Sequence, residues 1–149
     1  MADTVTFDIA AVEDAIVERL AERLPDLRVM PFPGQNTDIA RIGPLQKGVI
    51  LAAYAGTSRA APRPMDSILQ QATVSYGLTL MLKDLRDHAG AYATIGRVLD
   101  ALSGFCAIDD RPLFCTEDRF LTVTPEGIWI WLMSFSFVTW DRRVSEVEG

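Results

Sequence analysis

The chain has 149 residues, 49% of them hydrophobic and 23% charged, with a formal net charge of −6. That balance excludes disorder over most of the length and allows one core burying roughly two-thirds of the unfolded surface. The acidic excess argues against gripping nucleic acid through its phosphates, which needs a basic face, although Arg41, Lys47, Arg59 and Arg63 fall in one region.

Met1–Thr4 lacks the basic start and apolar run of a secretion signal, so cytosolic synthesis is expected. The first helix is predicted from Ile9, with Asp8 as N-cap and Phe7 placed to staple onto Val12. Ile9, Val12, Ile16, Leu20 and Leu24 recur at helical spacing, and Pro25 ends the run. Leu27–Phe32 reads as a short edge strand, because proline is tolerated there. Pro33–Asn36 breaks it, and Thr37–Leu45 is ambiguous. Gly48–Tyr54 is apolar on both sides and so suits an interior strand. Gly56–Asp66, with Arg59, Pro62, Arg63 and Pro64, is expected to be the longest loop.

Ile68–Lys83 is predicted as a long strand that either projects as an arm or bends through Gly77. Ala72, Val74, Tyr76, Leu78, Leu80 and Leu82 share its inner side; Gln71, Thr73, Ser75, Gly77 and Thr79 share the other. A second helix follows from about His88 to Ser103, capped by Asp87 and closed by Gly104, with Tyr92, Ile95, Val98, Leu99 and Leu102 as its buried stripe. A strand near Leu113–Val123 and the turn Thr124–Gly127 lead to a last strand, Ile128–Trp140. Its apolar core, Ile128–Phe137, is too short to span a bilayer as a helix. Residues 1–7 and 141–149 are expected to be flexible ends of one domain, 1–149.

Chemistry is sparse. His88 is the one histidine, and it falls in the first turn of a predicted helix, where the dipole disfavours an imidazolium. Cys106 and Cys115 flank an Asp-Asp-Arg-Pro turn without a nucleophile signature, and free, at least half-buried thiols are the plainer reading. The adjacent carboxylates Glu13/Asp14, Asp109/Asp110 and Glu117/Asp118 point apart on a helix or strand and so cannot converge as an acid–base pair. Ala55-Gly56-Thr57-Ser58 follows a strand but lacks the lysine and second glycine of a phosphate loop. Trp129, Trp131, Phe135 and Phe137 share one side of the last strand, as sheet-on-helix core or as a stacking surface. No catalytic residue, cofactor site or metal site is expected.

Four stretches carry a family likeness: Val12–Leu20, Gly48–Gly56, Leu82–Tyr92 and the Gly-Ile-Trp-Ile-Trp…Phe-Ser-Phe strand at Gly127–Phe137. Together they resemble the Mu-like phage and prophage family of small tail proteins, whose members are similar to tail terminator, or tail completion, proteins. The likeness runs from about Asp8 to Trp140, and Arg86–Tyr92 is its most specific part. It implies an α+β fold with a mixed, mainly antiparallel sheet of about four to five strands flanked by two helices. It also implies a homo-oligomeric ring, a hexamer, that caps the tail tube and joins it to the neck or head. The partners would be the tube protein and neck or connector proteins, with no membrane and no sequence-specific nucleic acid. Assembly would take place in the host bacterial cytoplasm, and the product would be a phage tail, a gene transfer agent or a phage-tail-like particle. A neck or connector component is the alternative within assembly; a small-ligand-binding domain using the aromatic side and His88 is the alternative of another class. For the assembly reading, the expected interface residues are Arg59, Arg63, Gln71, Thr73 and Ser75.

Overall fold

The first helix starts where its cap dictates. In the computed structural model, which describes residues 7–32, 48–63, 67–83 and 88–144, helix α1 spans Ile9–Arg23. The Asp8 carboxylate accepts hydrogen bonds from the backbone N–H of Ala10 at 3.0 Å and of Ala11 at 3.2 Å, satisfying two donors that the helix itself cannot. Val12, Ile16 and Leu20 are buried, and Leu24 follows them into the core before Pro25 stops the helix. Phe7, expected as the staple, packs on the core with its ring edge-on to Phe137 at 5.6 Å. The expectations at Pro33–Asn36, Thr37–Leu45 and Asp87 lie outside the described residues.

Five strands follow: β1 Arg28–Pro31, β2 Gly48–Arg59, β3 Ser67–Lys83, β4 Phe114–Val123 and β5 Ile128–Val144. They form one sheet in the order β1-β2-β3-β5-β4, parallel between β1 and β2 and antiparallel elsewhere. Helix α2, His88–Leu102, is the second helix, and the α+β class with a mixed, mainly antiparallel sheet is as expected. Both helices pack on one face of the sheet. The alternation in β3 selects that face: Val74, Tyr76, Leu78, Leu80 and Leu82 are buried there, opposite Phe137, Phe135, Met133, Trp131 and Trp129 of β5. Val49 and Leu51 of β2 are buried on the other face with Met81, against Met30, Ile128 and Ile130. The unbroken apolar run of β2 therefore serves two cores, as its interior position requires.

Three expectations change. The segment from Gly56 to Arg59 is strand, not loop: β2 continues because a bulge at Ala55 shifts the register from Tyr54↔Tyr76 to Gly56↔Ser75. Gly56 sits there at φ +125°, open to glycine and strained for other residues, so the residue that reads as a breaker lets the strand run on. The charged run Asp141–Val144 is also strand, pairing with Ser67–Gln70. Tyr92, placed in the buried stripe of α2, is 57% exposed; Val98 and Leu102 are buried and Ile95 and Leu99 pack on the core as expected, joined by Thr94 and Ala101.

The helices are tied to each other and to the sheet by few polar contacts. The Arg19 Nε–H donates to the Ala101 carbonyl at 2.9 Å, and its guanidinium lies 4.9 Å from the centre of the Phe105 ring. A cation is thereby set on the carbonyl end of α2, where the helix dipole favours it. Arg97 donates two bonds to the Asp26 carboxylate, at 3.1 and 2.7 Å, and this pairing holds the guanidinium proton above its ordinary affinity.

The Tyr76 hydroxyl donates to the Ile9 carbonyl at 2.9 Å, joining mid-sheet to the first turn of α1. Burial pushes its pKa well above the ordinary phenol range, and the negative charge of Glu13 adds to the shift. The folded chain thus holds a proton that the unfolded chain releases at roughly pH 10, so stability falls as pH rises past that point. Tyr76→Phe is expected to cost about 1 kcal/mol at neutral pH through the lost bond and to flatten the alkaline decline. Urea midpoints at neutral and alkaline pH, compared with the parent chain, check both effects.

Candidate assembly interface

Among the described side chains, those with chemical potential do not converge. His88 opens α2, and its side chain lies outside the description. Both cysteines are free; Cys106 is exposed, contrary to the expectation of a buried thiol, and Cys115 is half-buried. Burial pushes the Cys115 thiol up, which disfavours the thiolate that a nucleophile needs. Asp109–Arg111 is a turn, closed by the Arg111 N–H on the Ile108 carbonyl and by Arg111 Nη1 on Asp109 Oδ2 at 3.1 Å. Glu117 and Asp118 are adjacent in β4 and take opposite sheet faces. Among the described residues, no three His, Cys, Asp or Glu side chains gather as a metal site, and no helix is long and apolar enough to cross a membrane.

What the strands do assemble is an arm. β3 and β5 are each 17 residues long, which at 3.3–3.4 Å per residue is roughly 55 Å, about three times an ordinary strand. At the end where β2 finishes, Arg59 donates from Nε to Asp141 Oδ2 at 2.9 Å. The Asp141 side chain is 9% exposed and that of Arg59 39%, so the pair is anchored by its carboxylate. Arg63 lies past the end of β2, its backbone N–H bonded to the Leu69 carbonyl at 3.0 Å. Its guanidinium stands 4.9 Å from the centre of the Trp140 ring. Arg142, two residues further along β5, is half-buried with no hydrogen-bond partner at Nε.

The expected interface residues divide between the two faces of this arm. Gln71, Thr73 and Ser75 lie on the face away from the helices, opposite Trp140, Val138 and Ser136. Arg63 joins them through its bridge to Leu69. Gln71 is exposed, Thr73 is half-buried, and Ser75 shares a 2.7 Å hydroxyl bond with Ser136. Arg59 is on the helix-side face with Asp141. Asp141 and Arg142 were not legible as partners, because the charged end of β5 reads as a frayed tail.

Among the described residues, no strand pairs with the outer edge of β4. β4 is an edge strand of ten residues, and Phe114, Phe120, Leu121 and Val123 are each between 42% and 44% exposed along it. Phe120 packs against Trp129 and Trp131 at ring-centre distances of 5.3 and 5.5 Å, and Tyr92 stands edge-on to Trp131 at 6.3 Å. The aromatic ladder therefore splits: Phe135 and Phe137 are fully buried core, while Trp129 and Trp131 lie at the rim beneath Phe120. A long edge with apolar side chains offers unpaired N–H and C=O groups to another chain.

A family model described as "Gp37 protein" matches residues 16–147. No curated protein matches the chain. Among solved structures, a chain of the "Virion of native gene transfer agent (GTA) particle" has a similar fold, with a TM-score of 0.59 and 15% identity over 92% of this chain and 99% of that chain. At such low identity the likeness speaks for the fold alone. The family match spans most of the chain, from within α1 to the end of β5, and on that ground the chain belongs to the Gp37 family.

Proposed function

We propose that the chain is a structural subunit of a phage-like particle: a tail terminator whose copies close into a hexameric ring, cap the tail tube and join it to the neck or head. The observation that carries this reading is the fold shared, end to end, with a chain of a gene transfer agent virion. Membership of the Gp37 family supports it, as does the likeness of Val12–Leu20, Leu82–Tyr92 and Gly127–Phe137 to small phage tail proteins. The long β3–β5 arm presents a surface unlike the helix-covered side of the sheet, and a closed ring of identical copies uses such differences: each contact is heterologous, one patch on a different patch.

Native mass spectrometry of the purified protein over a rising concentration series tests it. The expected result is one closed species of fixed stoichiometry, six copies, with no open-ended ladder. A protein that stays monomeric at the highest concentration and also fails to bind tail tubes contradicts the reading.

A further inference from the structure

Several charges of the described chain are engaged within it: Arg97 pairs with Asp26, Arg111 with Asp109, Arg119 with Glu117 and Arg59 with Asp141, and Arg19 is turned onto the Ala101 carbonyl. Among the others, two groups are opposite in sign and lie on different elements. At the arm end Arg63 is exposed and Arg142, on the same sheet face, lacks a partner at Nε, while Arg59 on the other face is bound to Asp141, the carboxylate described there. On the outer side of α1, Asp14, Glu18 and Glu22 are exposed, and none has an ion pair or hydrogen bond among the described residues.

The spacing of those three carboxylates is informative. At i, i+4 and i+8 they form one line along the helix, and like charges at that spacing repel, each pair weakening the helix by a few tenths of a kcal/mol in isolation. A cationic surface laid along the line reverses the sign. Arg63 and Arg142 give the arm end such a surface, in a chain whose net charge is −6. No described contact joins the two patches within one copy. They are chemically complementary and differ from each other, as a contact that repeats around a ring demands.

We infer that the arginine-bearing end of the β2–β3–β5 arm docks on the Asp14/Glu18/Glu22 stripe of α1 in a second copy of this chain. The inference rests on the ring reading above and adds to it the surfaces that meet. Arg63, its guanidinium over the Trp140 ring, is the pre-positioned cation, and Glu18 is the centre of the stripe that receives it. The contact is electrostatic, so assembly weakens as salt rises.

Charge exchange tests it on the full chain. Arg63→Glu alone and Glu18→Arg alone are each expected to raise the concentration for half-assembly by roughly tenfold, the order that like-charge juxtaposition costs at an interface. The chain carrying both changes is expected to recover to within about threefold of the parent, because every arm then meets a stripe of opposite charge again. Circular dichroism melts of the monomers, unchanged for these exposed sites, show that folding is not what moved. Parent rings with both single variants assembling normally overturn this inference and leave the ring reading standing, as does a double variant that fails to recover. A parent chain that never leaves the monomer overturns both.

Discussion

Phe135→Ala is expected to lower the free energy of unfolding by about 3–5 kcal/mol, the largest effect of any single truncation considered for this chain. Phe135 is fully buried in the middle of β5, opposite Tyr76 of β3 and Cys115 of β4, so the lost ring leaves a cavity bounded by the sheet and not by movable loop. Phe120→Ala is the matched control. It removes the same ring from a site that is 44% exposed, and its expected cost is about 1 kcal/mol, mainly the contacts with Trp129 and Trp131. Urea unfolding of the two variants checks the contrast. Equal losses would show that the face carrying Met133, Phe135 and Phe137 is not the core.

Gly48→Ala is expected to cost about 1–3 kcal/mol, a large penalty for adding one methyl group. An added Cβ would sit 2.8 Å from Leu82 Cδ2 and 2.9 Å from the Met81 carbonyl oxygen, with Leu27 Cδ2 at 3.3 Å. The leucine can turn aside; the carbonyl belongs to the β2–β3 ladder and cannot move without disturbing the register Gly48↔Leu82. Gly77→Ala at mid-strand supplies the comparison. Its Cβ would meet only Ala55 Cβ at 4.0 Å, so the change is expected to be neutral or slightly stabilising, since alanine loses less chain entropy on folding. Thermal melts of the two variants should separate by several degrees; overlapping melts would contradict the close approach of β2 to β3.

The parts of the fold that follow from local chemistry were legible. Asp8 as cap, Pro25 as stop and the period-2 run from Ala72 to Leu82 each act through neighbours in the chain, and each is where the residues placed it. Misread parts depend on the partner strand or on distant residues. Gly56 is a breaker by composition, yet Ser75 across the ladder accommodates it as a bulge. Asp141 looks like tail until Arg59, 82 positions away, binds it. Tyr92 has helical spacing for the core, but the α2 side facing the sheet is set by Thr94, Val98 and Ala101, leaving the ring outside over Trp131.

The layout of the proposed interface was half legible for the same reason. Arg59 and Arg63 drew notice as loop cations, and β3 as too long for its sheet; that they share one arm end with Trp140 and Arg142 depends on the β3–β5 register. The β4 edge was invisible, because strand order is a property of the folded sheet: Phe120 and Leu121 read equally well as an interior strand. Nothing local marks Arg59 as bound within its own chain. Its truncation therefore reports on folding as well as assembly, which makes Arg63 the cleaner probe.

The most direct measurement is electron microscopy of tail tubes grown from purified tube protein with and without this chain. The terminator reading predicts that tubes stop lengthening once the protein is added and carry a ring of six copies at one end. Tubes that lengthen at the same rate and stay bare at both ends would contradict it.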